Sequence, residues 1–575
     1  MTKTKMRMLF SILTVFAVLA IAAACGGDST SKTTPASGGS TTAAGGGKPS
    51  GKITIAGTQF ERWDPHSANF AQDIAHFYMV WRGLYEFDLQ SKPVPSMADG
   101  DPVVSDGGKT YTVKLKKDLT WSDGTPMTAD DFVAGVQRTC NPDVAGDYQF
   151  LLSGIIGCDA YAASNGNPKA TPPKAALSAA EKETLRQAIG VKALDPLTIE
   201  YKLTDASPTF GTYLAMWPTF PVPTKKIAKP EDKWPGPLEN VYNGPFMPKE
   251  YTEKDHLTLI PNPNWSGKEK PKVEQIVIRY IDEAAVAMNA YRNGEIDATG
   301  ANLQELDVIQ KEFGGKDLVE YPATRTIGLE FMLKDPTVGK KEVRVALSRA
   351  VDRGALNKIA LKGANIPTTA WMPPDRSGVK AGTYDPLLGF DAAAAKASLA
   401  ASGLDAKSIN LTLLLVDNAS NKAVGEFLQN AWKTNLGLDV KLEFVDSKER
   451  SSRYNKLNYQ IVTGGWQEDY PDPENWILPL WVTGASSNKT ATSIPALDAL
   501  AKKAQFNLKD EERRQQYRET EKLLLDGANG IAPLWHSANH RLVKPYIKGM
   551  VEEKRPGDTF VPGDWNPEFW STSKK

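Results

Sequence analysis

The sequence is poor in the residues from which most catalytic and metal sites are built. Its 575 residues include 3 cysteines and 5 histidines. His536 and His540 have the i,i+4 spacing of a zinc-binding helix, but Ser537 replaces the glutamate of that motif, and the surrounding residues favour a strand. No C-x-x-C pair and no G-x-S-x-G turn occurs. We therefore expect a protein that is not an enzyme and that holds no metal or cofactor.

An excess of charge of one sign is missing as well. Lys plus Arg and Asp plus Glu each number 68, so the formal net charge is zero. No field of one sign draws such a chain to nucleic acid, and we expect no nucleic-acid partner. After residue 24, no hydrophobic run reaches the roughly 18 residues of a membrane span. Because 41% of the residues are apolar and 24% are charged, we expect about two or three globular domains.

The N-terminus has the three parts of a secretory signal peptide. Basic residues at positions 3, 5 and 7 precede an apolar run, which ends in three alanines directly before Cys25. The stretch resembles a bacterial lipobox. We predict a signal peptide over residues 1–24 and lipid attachment at Cys25. A transmembrane anchor is the alternative, but the run is at the short edge of a membrane span and no basic flank follows it.

The residues after Cys25 are typical of a flexible linker. Positions 26–50 are almost entirely Gly, Ser, Thr, Ala and Lys, which cannot bury enough apolar surface to offset the entropy of ordering. A linker of this length reaches on the order of 25–30 Å. We therefore predict that residues 25–50 tether the folded part to the outer face of the cell membrane, in the periplasmic space if an outer membrane is present.

Two cysteines remain once Cys25 is assigned to lipid. Cys140 and Cys158 are an even pair in one segment of a chain that we expect in an oxidising compartment, where such pairs form disulfides. Closing this loop is worth about 3 kcal/mol in the chain-entropy description. A metal site is disfavoured because no histidine is nearby. We predict a Cys140–Cys158 disulfide.

Strand and helix patterns alternate along most of the chain. We predict strands at 51–57, 110–115, 197–203, 257–261, 275–280, 411–416, 440–445 and 461–465. We predict helices that begin after Thr128 and at 342–351, 392–401, 422–436 and 509–526. The sequence at 107–110 imitates the end of a phosphate-binding loop, but its context indicates a hairpin turn. This alternation is typical of α/β lobes.

A series of short motifs follows in a fixed order. They are Asp64-Pro65-His66, Gly83-Leu84-Tyr85, Trp121-Ser122-Asp123-Gly124-Thr125-Pro126, Asn243-Gly244-Pro245-Phe246, Asn262-Pro263-Asn264-Trp265, Gly294-Glu295-Ile296-Asp297, Val351-Asp352-Arg353, Gly465-Trp466-Gln467-Glu468-Asp469-Tyr470 and Arg541-Leu542-Val543-Lys544-Pro545. Each motif is weak alone. In this order, over residues 51–575, the series resembles the family 5 extracellular solute-binding proteins of ABC transporters, and most of all their oligopeptide-binding members.

The resemblance implies an α/β, two-lobed periplasmic-binding-protein fold (type II, cluster C) with hinge strands between the lobes and an extra domain inserted in the first lobe. Lobe one would comprise residues 51–69, 195–322 and 536–575. The inserted domain would comprise 70–194, and lobe two 323–535. The hinges would lie near Tyr321–Arg325 and Trp535–His540, and ligand would be trapped between the lobes when they close.

One stretch can explain peptide capture. The strand that ends at Trp466 contains Gly464 and Gly465, which could let a ligand main chain approach closely, and Gln467 continues it. An extended peptide can pair with such a strand through main-chain hydrogen bonds that tolerate many side chains. A carboxylate at the strand end, Asp469, could then neutralise the peptide's α-ammonium.

The resemblance implies further roles for residues around this strand. In oligopeptide-binding relatives the Asp of a W-x-x-D-Y motif holds the peptide amine, and here that residue is Asp469. Trp466 and Tyr470 would form walls of side-chain pockets, and Tyr148 and Gln59 fall near positions that contact ligand in relatives. A packed turn capped by Asp469 is the structural alternative. Glu468, which relatives usually replace by a small residue, could favour a cationic ligand or face solvent.

We therefore expect a monomeric, lipid-anchored binding protein that captures oligopeptides and delivers them to a membrane-embedded ABC permease with its ATPase subunits. Another small solute, such as a nickel complex or a sugar, is the alternative ligand. A surface receptor without transport is the alternative role.

Overall fold

The computed structural model describes residues 48–88, 91–166, 174–550 and 566–574. The predicted signal peptide, Cys25 and the predicted linker up to residue 47 lie outside the described residues. Over the part that is described, no helix combines the length and the apolar character needed to cross a membrane.

The described residues form nineteen strands, and eleven of these strands belong to one large mixed sheet. In chain order the strands are β1 (Lys52–Gly57), β2 (Tyr85–Phe87), β3 (Pro93–Pro95), β4 (Val103–Ser105), β5 (Thr110–Lys114), β6 (Val191–Asp195), β7 (Thr198–Lys202), β8 (Phe246–Thr252), β9 (His256–Pro261), β10 (Gln275–Tyr280), β11 (Ala298–Gly300), β12 (Leu318–Phe331), β13 (Ile366–Pro367), β14 (Thr412–Val416), β15 (Lys441–Val445), β16 (Ile461–Gln467), β17 (Ile531–Val543), β18 (Ile547–Lys548) and β19 (Ser571–Thr572). The order across the large sheet is β15–β14–β16–β12–β17–β11–β1–β10–β9–β8, and β13 also pairs with β17.

The two longest strands, β12 and β17, run antiparallel through the middle of this sheet. The first part of β12 pairs with the last part of β17, which continues onto β11 and the strands beyond it. The second part of β12 pairs with the first part of β17 and with β16. The ladder between the two strands is irregular between Pro322 and Thr326. This interruption falls within the predicted hinge ranges.

Helices cover the sheet in both halves. In chain order they are α1 (Ala71–Val80), α2 (Ala129–Thr139), α3 (Cys158–Ala162), α4 (Ala179–Gln187), α5 (Phe210–Tyr213), α6 (Ala284–Arg292), α7 (Leu306–Phe313), α8 (Lys341–Arg349), α9 (Arg353–Ala360), α10 (Pro374–Ser377), α11 (Asp385–Leu388), α12 (Ala392–Ala401), α13 (Ala419–Leu436), α14 (Ser447–Asn455), α15 (Leu478–Trp481), α16 (Pro495–Gln505) and α17 (Asp510–Leu525). The five predicted helices correspond to α2, α8, α12, α13 and α17. Helix α13 begins earlier than predicted because the Asn418 side chain accepts the free N–H of Asn421 at 2.8 Å.

Two large hydrophobic cores lie on the two sides of the β12–β17 crossing. The first packs β1 and β10 with α1 and α2, and it contains Trp81 and Trp217. The second packs β14 and the second part of β12 with α8 and α13, and it contains Trp432. Each core defines one lobe, so the predicted two-lobed α/β fold with hinge strands is confirmed.

A separate four-stranded sheet, β4–β5–β7–β6, lies in the region of the predicted inserted domain. The predicted turn at 107–110 joins β4 to β5, which pair antiparallel. Near this sheet the structure joins Cys140 to Cys158 in a disulfide, with Cα atoms 5.3 Å apart. The domain bounds remain predictions. Strands β6 and β7 pair across the bound proposed at 194/195.

Candidate functional site

A cavity of about 560 Å³ lies where β12 and β17 cross between the lobes. The crossing strands contribute Tyr321, Ala323, Thr324, Asn539, His540 and Arg541. The first lobe contributes Ala56, Asn69, Ala71, Ile74, Ala75, Tyr148, Trp217 and Gly300, and the end of β16 contributes Gln467, Glu468 and Asp469. The volume is within the range of about 300–1,000 Å³ that is usual for small-molecule sites. We call this space the front cavity.

Asp469 faces the front cavity and is held from both lobes. The Tyr148 hydroxyl donates to Oδ1 of Asp469 at 2.7 Å, and the Asn475 amide donates to Oδ2 at 3.1 Å. The Asn475 carbonyl also accepts the main-chain N–H of Asp469 at 2.8 Å. Tyr148 packs against Trp217 of the first core with ring centroids 4.6 Å apart. One hydrogen bond therefore joins the lobes directly at the carboxylate.

The environment of Asp469 raises the free energy of its ionised form. Burial raises the pKa of Asp469 from 3.8 to about 6, although the hydrogen bonds from Tyr148 and Asn475 act in the opposite direction. Burial and the neighbouring carboxylate raise the pKa of Tyr148 well above its usual value, so its hydroxyl keeps the proton that it donates. At neutral pH the site therefore holds a costly, partly buried anion, which a cation would stabilise.

Strand β16 has an open main-chain edge beside this carboxylate. One edge of β16 pairs with β12 along its whole length, whereas within the described chain the other edge pairs with β14 only at Ile461 and Val462. The N–H of Glu468 donates to the Thr324 carbonyl at 2.9 Å, which identifies the residues of β16 that face β12. Because successive residues alternate in direction, Gly465 and Gln467 present their N–H and C=O groups to the open edge.

The space beside the two glycines of β16 is occupied by the protein itself. A Cβ at Gly465 would meet the Thr326 carbonyl, and a Cβ at Gly464 would meet the Glu330 carboxyl. Both contacts come from β12. These glycines therefore allow β16 to pack closely on β12, and the approach of a ligand main chain to them stays a prediction.

The predicted aromatic walls face away from the front cavity. The Trp466 indole N–H donates to Asn475 at 2.9 Å, and its ring packs on the second core. Tyr470 is only 2% exposed and packs in the first core, although its segment continues β16 of the second lobe. Its ring contacts that of Tyr213 at 5.2 Å. Asp469 and Tyr148 thus meet in the front cavity, whereas Trp466 and Tyr470 do not line it.

Gln59 also lies outside this cavity. Its side chain donates to the Tyr251 hydroxyl at 3.3 Å and accepts the main-chain N–H of Lys254 at 2.6 Å. Both groups belong to β8 and the turn after it. These two bonds direct the amide of Gln59 along the outer strands of the first lobe.

Glu468 does not face solvent, which is one of the two environments expected for it. It is 3% exposed and forms an ion pair with Arg376, whose Nη2 lies 2.9 Å from Oε2. The indole N–H of Trp476 donates to Oε1 at 3.0 Å. A buried guanidinium therefore already neutralises the charge of this carboxylate at the edge of the front cavity.

The sequence alone did not identify several residues in or beside the front cavity. Asn475 orients Asp469 but follows it by six positions in a stretch that carries no pattern of its own. His540 lines the cavity from β17, where its ring contacts Glu320 and the carbonyl of Ala364. The neighbouring His536 contacts Thr326 instead. Both histidines lie on strand β17, which confirms the prediction of a strand in place of a zinc-binding helix.

The comparisons with known proteins agree with this architecture. Residues 92–488 match the bacterial extracellular solute-binding proteins, family 5 (Middle). The fold and the interlobe cavity are those of a two-lobed solute-binding protein, and the chain belongs to family 5 of this class. It is a non-catalytic binding protein.

Individual relatives cover nearly the whole folded part. The periplasmic oligopeptide-binding protein OppA of Escherichia coli K12 is 28% identical over 88% of this chain and 90% of its own length. The probable deoxycholate-binding periplasmic protein YgiS of the same strain is 29% identical over 82% and 85%. The structure of the E. coli murein tripeptide-binding protein MppA superposes with a TM-score of 0.74 at 24% identity, over 92% of this chain and 99% of that one.

Proposed function

We propose that this protein captures peptides with a free amino terminus in the front cavity. As a lipid-anchored monomer, it then delivers them to an ABC importer. The observation that carries the proposal is the carboxylate of Asp469, which lies in the interlobe cavity at the end of a strand with an open edge. This arrangement can bind a peptide through its main chain and through its α-ammonium at the same time.

The main chain would supply affinity without sequence selection. Gly465 and Gln467 present main-chain donors and acceptors that an added strand can pair with. Each such bond contributes about 0.5–1.5 kcal/mol net. Since main-chain groups are the same in every peptide, this mode suits a carrier of mixed peptides.

The ammonium would supply orientation. A hydrogen bond to a charged partner contributes about 1.5–3 kcal/mol, and more is lost if either charge is left buried and unpaired. Asp469 is partly buried between the lobes, and this burial makes its ionised form unfavourable. An ammonium group can stabilise the carboxylate, whereas a neutral N-acetyl group cannot. The names of OppA and MppA, which denote peptide-binding proteins, support a peptide ligand.

The test uses two peptide pools of two to six residues, one with free amino termini and the other N-acetylated. After incubation with the whole folded chain, retained peptides are identified by mass spectrometry and the strongest are titrated by calorimetry. We expect the free pool to be retained over the acetylated one, and Asp469→Ala to abolish the difference. Asp439→Asn, an exposed acid before β15, is the matched control. Equal retention of both pools would contradict the role of Asp469.

One relative favours a second candidate. YgiS is named for probable deoxycholate binding and is as similar to this chain as OppA is. A bile-acid-like anion would avoid the Asp469 carboxylate, so deoxycholate should bind the Asp469→Asn variant at least as well as the unchanged chain. Deoxycholate titrated against both proteins distinguishes this candidate from the peptide.

A further inference from the structure

A second cavity lies between the lobes, behind the Tyr148–Asp469 hydrogen bond. Its volume is about 510 Å³. The residues that matter for its chemistry are Phe150, Leu151, Tyr213, Tyr470, Glu474 and Phe506. The first three belong to the first half of the chain and the last three to the segments after β16. We call this space the rear chamber.

The front cavity and the rear chamber are lined by residues that lie next to each other in the chain, and we call the side chains between them the wall. Tyr148 and Asp469 line the front cavity, while Phe150 and Tyr470, which follow them closely in sequence, line the rear chamber. Among the described residues, none is a lining residue of both spaces. The Tyr148 ring lies 5.6 Å from that of Phe150. The tyrosine ring and its bond to Asp469 thus separate two spaces of similar size.

The polar side chains that line the rear chamber are held by more hydrogen bonds than Tyr148 is. The Tyr213 hydroxyl donates to Glu474 at 2.7 Å, and Arg513 holds the same carboxylate at 3.2 Å. The Tyr470 hydroxyl lies 3.4 Å from that of Tyr213. Tyr148, by contrast, has one hydrogen bond through its hydroxyl, so removing its side chain would open the wall and leave the chamber's own network intact.

The lining of the rear chamber suits an aromatic group without negative charge. Aromatic rings and aliphatic side chains form most of it, and Asp159 and Asp205 lie at its exposed side. No lysine, arginine or histidine is among the described residues that line it. An anion would therefore find no partner there, whereas a phenyl group would find edge-to-face contacts with the rings.

We propose that the rear chamber is a latent subsite for a group that precedes the anchored amine, and that Tyr148 is the specificity-determining residue that excludes it. This inference rests on the proposed function. It gives a structural reason for a free amino terminus, because a chain that continues past Asp469 would run into the Tyr148 ring. An aromatic acyl group is the class of ligand that the opened chamber would accept.

The experiment compares two pools of peptides of two to six residues, one with free amino termini and one N-capped with phenylacetyl. The proteins are the unchanged chain, Tyr148→Ala, Tyr148→Phe and Tyr148→Ala combined with Gly154→Trp. Gly154 lines the rear chamber and a Cβ there meets nothing within 4 Å, so there is room for a tryptophan that takes up part of this space. Tyr148→Leu serves as a milder opening variant if the alanine variant does not fold.

We expect the unchanged chain to prefer the free pool at least tenfold. Tyr148→Ala, and Tyr148→Leu to a smaller extent, should raise retention of the capped pool tenfold or more. Adding Gly154→Trp should remove that gain. Tyr148→Phe should bind free peptides several-fold more weakly yet still exclude capped ones, because its ring remains in the wall.

The possible outcomes distinguish a failure of the latent subsite from a failure of the proposed peptide-binding function. If the unchanged chain prefers free peptides but neither opening variant gains capped ones, the latent subsite is wrong and the proposed function stands. If the gain persists with Gly154→Trp, the cap binds elsewhere and the inference is also overturned. If the unchanged chain retains neither pool, the peptide function itself is wrong and the subsite falls with it.

Discussion

The burial of Asp469 predicts that the Asp469→Asn variant is more stable than the unchanged chain. The pKa of the carboxyl rises from 3.8 to about 6 between the lobes. Because each pKa unit corresponds to about 1.4 kcal/mol, the ionised carboxylate costs the folded state about 3 kcal/mol. Asparagine has nearly the same shape and carries no charge, so the substitution removes this cost.

Part of the gain is lost through hydrogen bonding. The asparagine carbonyl can still accept from Tyr148, but its NH₂ group would face the donating amide of Asn475. One such bond is worth about 0.5–1.5 kcal/mol net. We therefore expect a net gain of about 1.5–2.5 kcal/mol in the free energy of unfolding at pH 8.

The pH dependence provides the sharper test. Since the folded pKa lies above the unfolded one, the favourable contribution of protonated Asp469 is complete below about pH 4 and is lost as the pH rises through 6. The advantage of Asp469→Asn should thus be largest at pH 8 and should reverse by pH 4, where only the lost hydrogen bond remains, to a deficit of about 0.5–1.5 kcal/mol. Urea unfolding followed by tryptophan fluorescence measures it, with Asp439→Asn as the exposed control. A difference that is constant from pH 4 to pH 8 would refute the reasoning.

Three further predictions concern other charges and cysteines. Glu468→Gln should lower the free energy of unfolding by about 3–5 kcal/mol in urea unfolding, because it removes the carboxylate charge from a buried ion pair with Arg376; a loss below 1 kcal/mol would contradict this. Replacing both Cys140 and Cys158 by serine should cost about 3 kcal/mol, and reductant should then have no further effect on the thermal midpoint. Cys25→Ala should abolish the incorporation of labelled palmitate into the protein, and labelling that persists in this variant would refute lipid attachment at Cys25.

Regular elements could be predicted from the sequence because their signals are local. Strand β10 and helix α12 coincide with the predicted ranges, since hydrophobic period and capping residues both lie within a few positions of each end. The side chain of Asp391, for example, accepts the N–H of Ala394 at 2.9 Å and fixes the start of α12. Such contacts span three residues, so a single sequence contains them.

The surroundings of the site residues could not be predicted in this way. Glu468 is neutralised by Arg376, 92 positions away, and Gln59 is held by Tyr251, 192 positions away. No periodicity connects residues at such separations. The position of Asp469 was predicted from the ordered motifs that the chain shares with its family, and its hydrogen bond to Tyr148 spans 321 positions.

The cost of burying Asp469 also bears on how ligand and lobe closure are coupled. Tyr148 reaches the carboxylate from the first lobe, so a movement of the lobes apart would break this hydrogen bond and expose Asp469. Closure of the lobes over an ionised Asp469 without a ligand is opposed by up to about 3 kcal/mol. An ammonium group that pairs with the carboxylate removes much of this cost. A difference of about 3 kcal/mol corresponds to a shift of more than a hundredfold between open and closed populations. The same burial that makes Asp469 unfavourable for stability would therefore make closure depend on an amine.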